Sequence, residues 1–336
     1  MRDENVERAG MKLVRADIIN SVDDYKLINA PVPTPRAGEV LVKVHACGMG
    51  YVDALVALGG YQVKPQTPYT PGLEIGGVVE AVGEGVSHIR AGDRVVANAF
   101  GGGLAEYALA AANMVWRIPA SMSFAQAAGF RTNYLTALHG LKDRAALQPR
   151  ERLLVMGAAG GVGLAAVQIG RLMGAHVIAA ASSEEKRKFA IEHGAHQALD
   201  VTPEDWRTRL KAACDGKGPD VVFDPVCGPL FEAAFRSLAW NGRHLVVGFA
   251  GGPIPKLPAN LTLMKGAALV GVDVRQFVLF EAERANAHVE QLLAWSAKGE
   301  LIPAVGRRFS LSEFADAMKF AMSGKGWGKT IIEIAE

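Results

Sequence analysis

Three cysteines in 336 residues, Cys47, Cys214 and Cys227, are too scattered and odd in number for a disulfide framework, and none belongs to a Cys-x-x-Cys pair. A reducing compartment, the cytoplasm, is the expected setting. Charge of one sign is missing too: 36 basic side chains stand against 34 acidic ones, a net of +2, and no basic tract stands out. A polyanion would find no electrostatic footprint, so nucleic acid is not an expected partner. Long apolar runs are absent; stretches such as 153–157 and 245–248 fall far short of the roughly 20 residues a membrane helix needs. The first ten residues, MRDENVERAG, alternate in charge without an apolar core, which is neither a signal peptide nor a transit sequence; they are expected to form an extension. The eight histidines show no H-x-x-x-H spacing and no G-x-S-x-G elbow occurs, which removes the metallohydrolase and serine hydrolase patterns.

What is present is a globular composition, 50% hydrophobic with 38 glycines, in a chain long enough for about two domains. From residue 11 to about 118, short β-rich pieces (40–45, 75–82, 93–97) alternate with Gly- and Pro-containing turns, the pattern of an all-β, barrel-like unit. After Ser121 the texture changes. From residue 151 strand and helix patterns alternate, with strands expected at 152–156, 176–180, 221–223, 243–248 and 268–274 and helices at 162–173, 184–193, 203–213 and 230–238. That alternation predicts a parallel α/β sheet. Helices at 284–298 and 312–322 follow, then a last strand at 329–334 with no helix after it, expected to return to the first domain.

The segment RLLVMGAAGGVG at 152–163 reads as strand, tight turn, helix. It is a dinucleotide fingerprint with Ala158 in the first glycine position, Gly160 where the backbone approaches a pyrophosphate and Gly163 where the helix packs on the strand; the free N–H groups of Gly161 and Val162 open the helix toward an anion. The next strand ends in AASSEEKR at 180–187. An NAD site usually carries a carboxylate there for the ribose hydroxyls. Small residues, the hydroxyls of Ser182 and Ser183, and Lys186 with Arg187 suit the 2′-phosphate of NADP instead. The same residues also read as a Ser N-cap with ordinary surface charges in the first helical turn.

PRAGEVLVKVHACG at 35–48, PGLEIGGVVEAVGEGV at 71–86, AGDRVV at 91–96 and AAGGVGLAAVQIGRLMGA at 158–175 resemble the medium-chain dehydrogenase/reductase family, nearest its quinone oxidoreductase (zeta-crystallin-like) branch. The resemblance implies an α/β protein with a Rossmann parallel-sheet cofactor domain inserted into a GroES-like β-barrel catalytic domain. Its expected boundaries are 1–10 extension, 11–133 catalytic, 134–278 NADP-binding and 279–336 return; the resemblance implies a homodimer or homotetramer, and the apolar strand 268–274, whose exposed edge would need a partner, makes a homodimer the expectation. The resemblance also implies cofactor or cleft roles for Thr136, Val226, Gly248, Phe249, Ala250, Val272 and Lys329. Zinc-bearing relatives place a Cys and a His where this chain has Gly50 and Leu73, so no metal is expected. Without a Lewis acid, the expected reaction is hydride transfer from NADPH to a quinone or conjugated enone, whose own oxygen takes up the charge. Tyr51 and Asp53 are the candidate catalytic groups, Tyr51 as hydrogen-bond donor to a developing oxyanion. Packing of Tyr51 in the barrel and helix capping by Asp53 fit equally well. Alternatives are an enoyl-thioester reductase and a non-catalytic NADPH-binding protein.

Overall fold

In the computed structural model, residues 10–99 and 101–334 are described. Most of the expected amino-terminal extension lies outside them, and Gly10 already opens a strand, Gly10–Arg15, paired antiparallel with Lys26–Pro31. The chain forms two compact units, Met1–Arg131 with Pro303–Glu336, and Thr132–Ile302.

The hub of the first unit is the strand Glu39–Met49. Its alternating Val40, Val42 and Val44 are fully buried against Ile75, Val79, Val95 and Ala97, the period of two that puts one face of a strand in the core. Glu74–Val82 pairs antiparallel along one edge of it, while Tyr107–Ala111 and the last strand, Lys329–Glu333, share the other. The sheet is completed by Arg94–Asn98 and Val115–Arg117 beyond Glu74–Val82, and by Val305–Ser310 beyond Lys329–Glu333. The final strand thus returns to the first unit, where it places Lys329 across from the end of the hub strand.

The second unit holds a six-stranded parallel sheet. Its order is Gln197–Leu199, His176–Ala180, Arg152–Met156, Val221–Asp224, Arg243–Val246, Ala268–Gly271. Leu153–Val155 and Val177–Ala180 are entirely buried, as strands covered on both faces must be. The order reverses direction between Arg152–Met156 and Val221–Asp224, and a switch point of this kind is where open α/β sheets bind ligands, beyond the strands' carboxyl ends.

Three expectations differ from the structure. Gln197–Leu199 forms an edge strand that its short sequence did not announce. The expected strand over 268–274 stops at Gly271, because the Asp273 carboxylate accepts from the N–H groups of Arg275 and Gln276 and caps a new helix, Val274–Phe280. The return to the first unit comes at Pro303, not 279. The helix Ala282–Ala297 stays with the second unit: it buries Val289 and Leu292, and His288 donates from Nε2 to Asp143, 2.9 Å away, which His139 also contacts at 2.8 Å.

Candidate cofactor turn and buried polar cluster

In the second unit the strand Arg152–Met156 leads to Gly157 in the left-handed region (φ +59°) and then to the helix Gly161–Leu172, N-capped by Gly160. The helix approaches so closely that a Cβ on Gly163 would stand 2.3 Å from the Gly157 carbonyl oxygen, and one on Gly161 2.7 Å from Asn133 Nδ2. Ala158, buried, donates its N–H to Ala180 at the end of the neighbouring strand. The helix-start N–H groups, Gly161 and Val162 among them, have no intrahelical acceptor, and such groups favour an anion.

Around that turn stand several of the expected cofactor residues. Val226 lies 2.8 Å from where a Cβ on Gly157 would be, Gly248 packs on the Pro225 carbonyl, and Ala250 donates its N–H to the same oxygen at 3.3 Å. Val272 is buried and donates to the Val246 carbonyl, whereas Phe249 is about a third exposed. Thr136 is buried with its hydroxyl on the Thr132 carbonyl one turn earlier.

At the tip of the second strand, Ser183 N-caps the helix Glu184–Glu192: its hydroxyl accepts from the Lys186 N–H and bonds the Glu185 carboxylate. Ser182 is exposed and Lys186 half-buried, its ammonium held below the ordinary lysine range by burial. Arg187 donates to the Ala181 carbonyl. The Ser183 hydroxyl gives its one donor to Glu185 and would have to turn from it to serve a phosphate, while Arg187 is committed to the strand end.

The first unit carries a different kind of site. Gly50 caps the helix Tyr51–Ala57, and Asp53, three residues into the turn, reaches back: Oδ2 accepts from the Gly50 N–H at 2.7 Å and from Lys329 Nζ at 3.1 Å, and Oδ1 from the Leu73 N–H at 3.4 Å. Asp53 and Lys329 are both buried. Burial opposes the ammonium's charge, but Asp53 and Glu74 outweigh it and hold the Lys329 pKa above the ordinary lysine value. Glu74 accepts the Arg131 N–H, and the Arg131 guanidinium lies 4.7 Å over the Trp116 ring. Tyr51 is half-buried at the helix start, and among the described residues its hydroxyl has no partner.

A metal does not fit this cluster. A Cβ on Gly50 would lie 2.8 Å from Lys329 Nζ, so a cation already stands beside the point where a ligand side chain would begin. The Cys47 sulfur packs against Gly72 and Gly103; burial, with Asp53 next, pushes its thiol well above the ordinary range, against the thiolate that zinc binds. Among the described residues no group of three or more His, Cys, Asp or Glu side chains converges as a metal site.

Residues 36–120 match the alcohol dehydrogenase GroES-like domain, and residues 161–295 the family described as zinc-binding dehydrogenase. The chain is 36% identical over 328 residues to the quinone oxidoreductase-like protein 2 homolog of Nematostella vectensis, covering 96% of this chain and 90% of that one. It is 34% identical to human quinone oxidoreductase, covering 96% and 98%. The solved quinone oxidoreductase of Thermus thermophilus, studied also as its complex with NADPH, superposes with a TM-score of 0.79 at 31% identity over 96% of this chain and 99% of that one. The chain belongs to the medium-chain dehydrogenase/reductase family. Within it, the quinone oxidoreductase branch is where it falls, an oxidoreductase that uses a nicotinamide cofactor.

The sequence reading did not anticipate that Lys329 pairs with Asp53, nor the parts taken by Glu74 and Arg131. The only signal for the first was the polar Asp53 in an otherwise apolar helix; its partner lies far along the chain.

Proposed function

We propose that this protein is an NADPH-dependent reductase of quinones or conjugated enones that works without a metal. The observation that carries the reading is the pairing of a dinucleotide turn with a second strand, His176–Ala180, that ends in small residues without a carboxylate and is followed by Ser182, Ser183 and Lys186, the acids Glu184 and Glu185 coming only in the helix that starts there. When bound, NADPH supplies the hydride. Gly160, Gly161 and Val162 present backbone N–H groups to its pyrophosphate, and Ala158 and Gly163 keep the turn tight. Ser182, Ser183 and Lys186 hold the 2′-phosphate through charge-assisted hydrogen bonds. Thr136, Val226, Gly248, Phe249, Ala250 and Val272 line the nicotinamide half. In the first unit the free Tyr51 hydroxyl donates to the acceptor oxygen as negative charge develops there. Asp53 acts by fixing the helix start and the Lys329 ammonium, which lends the cluster the positive charge that Gly50 and Leu73 cannot recruit as zinc.

The partner surface proposed for self-association is the edge strand Ala268–Gly271, which carries exposed Leu269, with Leu263 and Met264 exposed just before it in the chain and exposed Trp240 beside Gly266. Such an edge is normally covered, and a two-fold copy of the same strand covers it; sedimentation at micromolar concentration should show a dimer, and a monomer would refute it. The three cysteines are buried and unpaired, in keeping with a reducing cytoplasm. No helix among the described residues is long and apolar enough to cross a membrane.

The test is loss of NADPH absorbance with a panel of quinones, enones and enoyl-coenzyme A thioesters, with and without a zinc chelator. Oxidation by quinones or enones that is insensitive to chelator is expected. Turnover of thioesters alone would make it an enoyl-thioester reductase, turnover of none with NADPH still bound a binding protein, and loss of activity to chelator would overturn the metal-free reading.

A further inference from the structure

The second unit buries a carboxylate that the cofactor turn does not itself contain. Asp224 ends the strand Val221–Asp224 with 1% of its surface exposed, and His244, on the adjacent strand, has none exposed. Asp224 Oδ1 accepts from the N–H groups of Val226 at 2.9 Å and Cys227 at 2.8 Å; Oδ2 faces His244 Nε2 at 3.2 Å. Facing a carboxylate, Nε2 must carry the proton of the neutral ring. Nδ1, which has no partner among the described residues, then presents only a lone pair to its surroundings; the imidazole itself packs among aromatic rings, its centroid 4.7 Å from that of Phe231 and 6.1 Å from that of Phe235. An imidazolium would instead bury an unpaired N–H donor, the costlier arrangement.

The carboxylate holds a bent piece of chain. Cys227 is in the left-handed region (φ +46°) without being glycine, a conformation that persists only when its surroundings enforce it. The turn is tied on its far side as well, since Ala250 and Gly251 donate to the carbonyls of Pro225 and Val226. Val226 is wedged in the middle: its two methyl groups lie 2.8 Å from where Cβ atoms on Gly157 and on Gly251 would stand. The 225–228 turn therefore forms a wall against the first turn of the dinucleotide fingerprint, at the carboxyl end of the sheet.

We propose that Asp224, oriented by His244, is a positioning residue that sets this wall for the nicotinamide half of the cofactor. The proposal rests on the NADPH reading above. Asp224 is too buried to touch the cofactor; it acts through the N–H groups of Val226 and Cys227. If so, its loss should separate the two halves of the ligand. The adenosine half is held at the tip of a different strand, by Ser182, Ser183 and Lys186, and should be indifferent.

The experiment measures equilibrium binding of NADPH and of the fragment 2′,5′-ADP to wild type, Asp224→Ala, Asp224→Asn and His244→Phe, with thermal unfolding as a check on folding. Asp224→Ala should weaken NADPH binding by about tenfold or more, the effect of about one lost, well-placed contact, and leave 2′,5′-ADP unchanged. Asp224→Asn should keep most of the NADPH binding, because its amide oxygen still accepts both N–H groups; its amide nitrogen turns His244 to the other tautomer, whose buried Nδ1–H has no partner among the described residues, so the cost should appear as a lower unfolding temperature. His244→Phe keeps the turn's own bonds and should show the same split at a smaller size, so it decides the matter if Asp224→Ala does not fold. Equal weakening of both ligands, or unchanged NADPH binding in folded Asp224→Ala or in folded His244→Phe, overturns the positioning role. Wild type that fails to bind NADPH overturns the cofactor reading itself.

Discussion

The two units solve the problem of holding charge in opposite ways. In the second, the proposed anion site is built from backbone: consecutive glycines bring N–H groups to a helix start, and Lys186 sits half-buried in the helix that follows the neighbouring strand. In the first, the site is built from side chains, with Asp53, Lys329, Glu74 and Arg131 all buried together. Backbone dipoles cost little to bury because they are paired as part of the fold, whereas a buried ion is costly unless a counterion stands beside it, as Lys329 does beside Asp53. The second site should therefore fail through geometry and the first through charge.

The largest expected effect follows from that difference. Lys329→Met leaves the Asp53 carboxylate buried without its counterion and should destabilise the first unit by about 3–5 kcal/mol, read as a fall in the denaturant midpoint. Asp53→Asn, which still accepts from Gly50, should cost less. If Lys329→Met proves as stable as wild type, the cluster is not held by charge.

Next in size is Gly163→Val. Its side chain would collide with the Gly157 carbonyl, a backbone atom that cannot swing aside, and should destabilise the second unit by about 1–3 kcal/mol while abolishing measurable NADPH binding. Retained binding would show that the helix need not lie so close to the turn.

A smaller effect is the dependence on pH, which rests on two histidines in the second unit and on His45 in the first, held below its ordinary value chiefly by burial. In the second unit, burial keeps His139 and His196 below the ordinary histidine value of 6.5, and Asp143, despite its burial, is lowered by the hydrogen bonds from His139 and His288 below 3.8. Groups whose folded pKa is depressed bind more protons when unfolded, so stability falls as pH falls. The histidine contribution should fade below about pH 6.5 and the carboxylate contribution below about pH 4. Lys329, raised in the folded state, contributes fully below the ordinary lysine value of 10.5 and is lost only as pH rises through its folded value. Thermal unfolding followed from pH 8 down to pH 4 should show an early loss; a flat profile would remove the Asp143 histidine node from the account.

How far the sequence could be read divides along the same line. The cofactor turn was legible because its parts are contiguous: strand, glycines and helix occupy 152–172, and Ser182 to Lys186 follow at the next strand tip. The parallel sheet was legible for a similar reason, since each strand is a local apolar run. The polar cluster was not, because Asp53, Glu74, Arg131 and Lys329 are separated by long stretches of chain and meet only through the pairing of Glu39–Met49 with Glu74–Val82 and Lys329–Glu333. Lys329 accordingly read as a cleft residue by resemblance, with no sign of its partner. Asp224 was hidden in another way, as an acid at a strand end that looks like a turn residue until His244 is placed beside it. The helix Ala282–Ala297 stays with the second unit through buried Val289 and Leu292 and through Asp143 with two histidines, contacts that no local pattern reveals.

The measurement that bears most directly on the central claim is the affinity of wild type and of Lys186→Ala for NADPH and NADH, read by coenzyme fluorescence. Wild type should prefer NADPH by about tenfold to a hundredfold, as a charge-assisted phosphate contact implies, and Lys186→Ala should lose most of that preference with NADH binding unchanged. Equal affinity for the two coenzymes in wild type, or equal damage to both in the variant, would contradict the assignment of Ser182, Ser183 and Lys186 as the 2′-phosphate site.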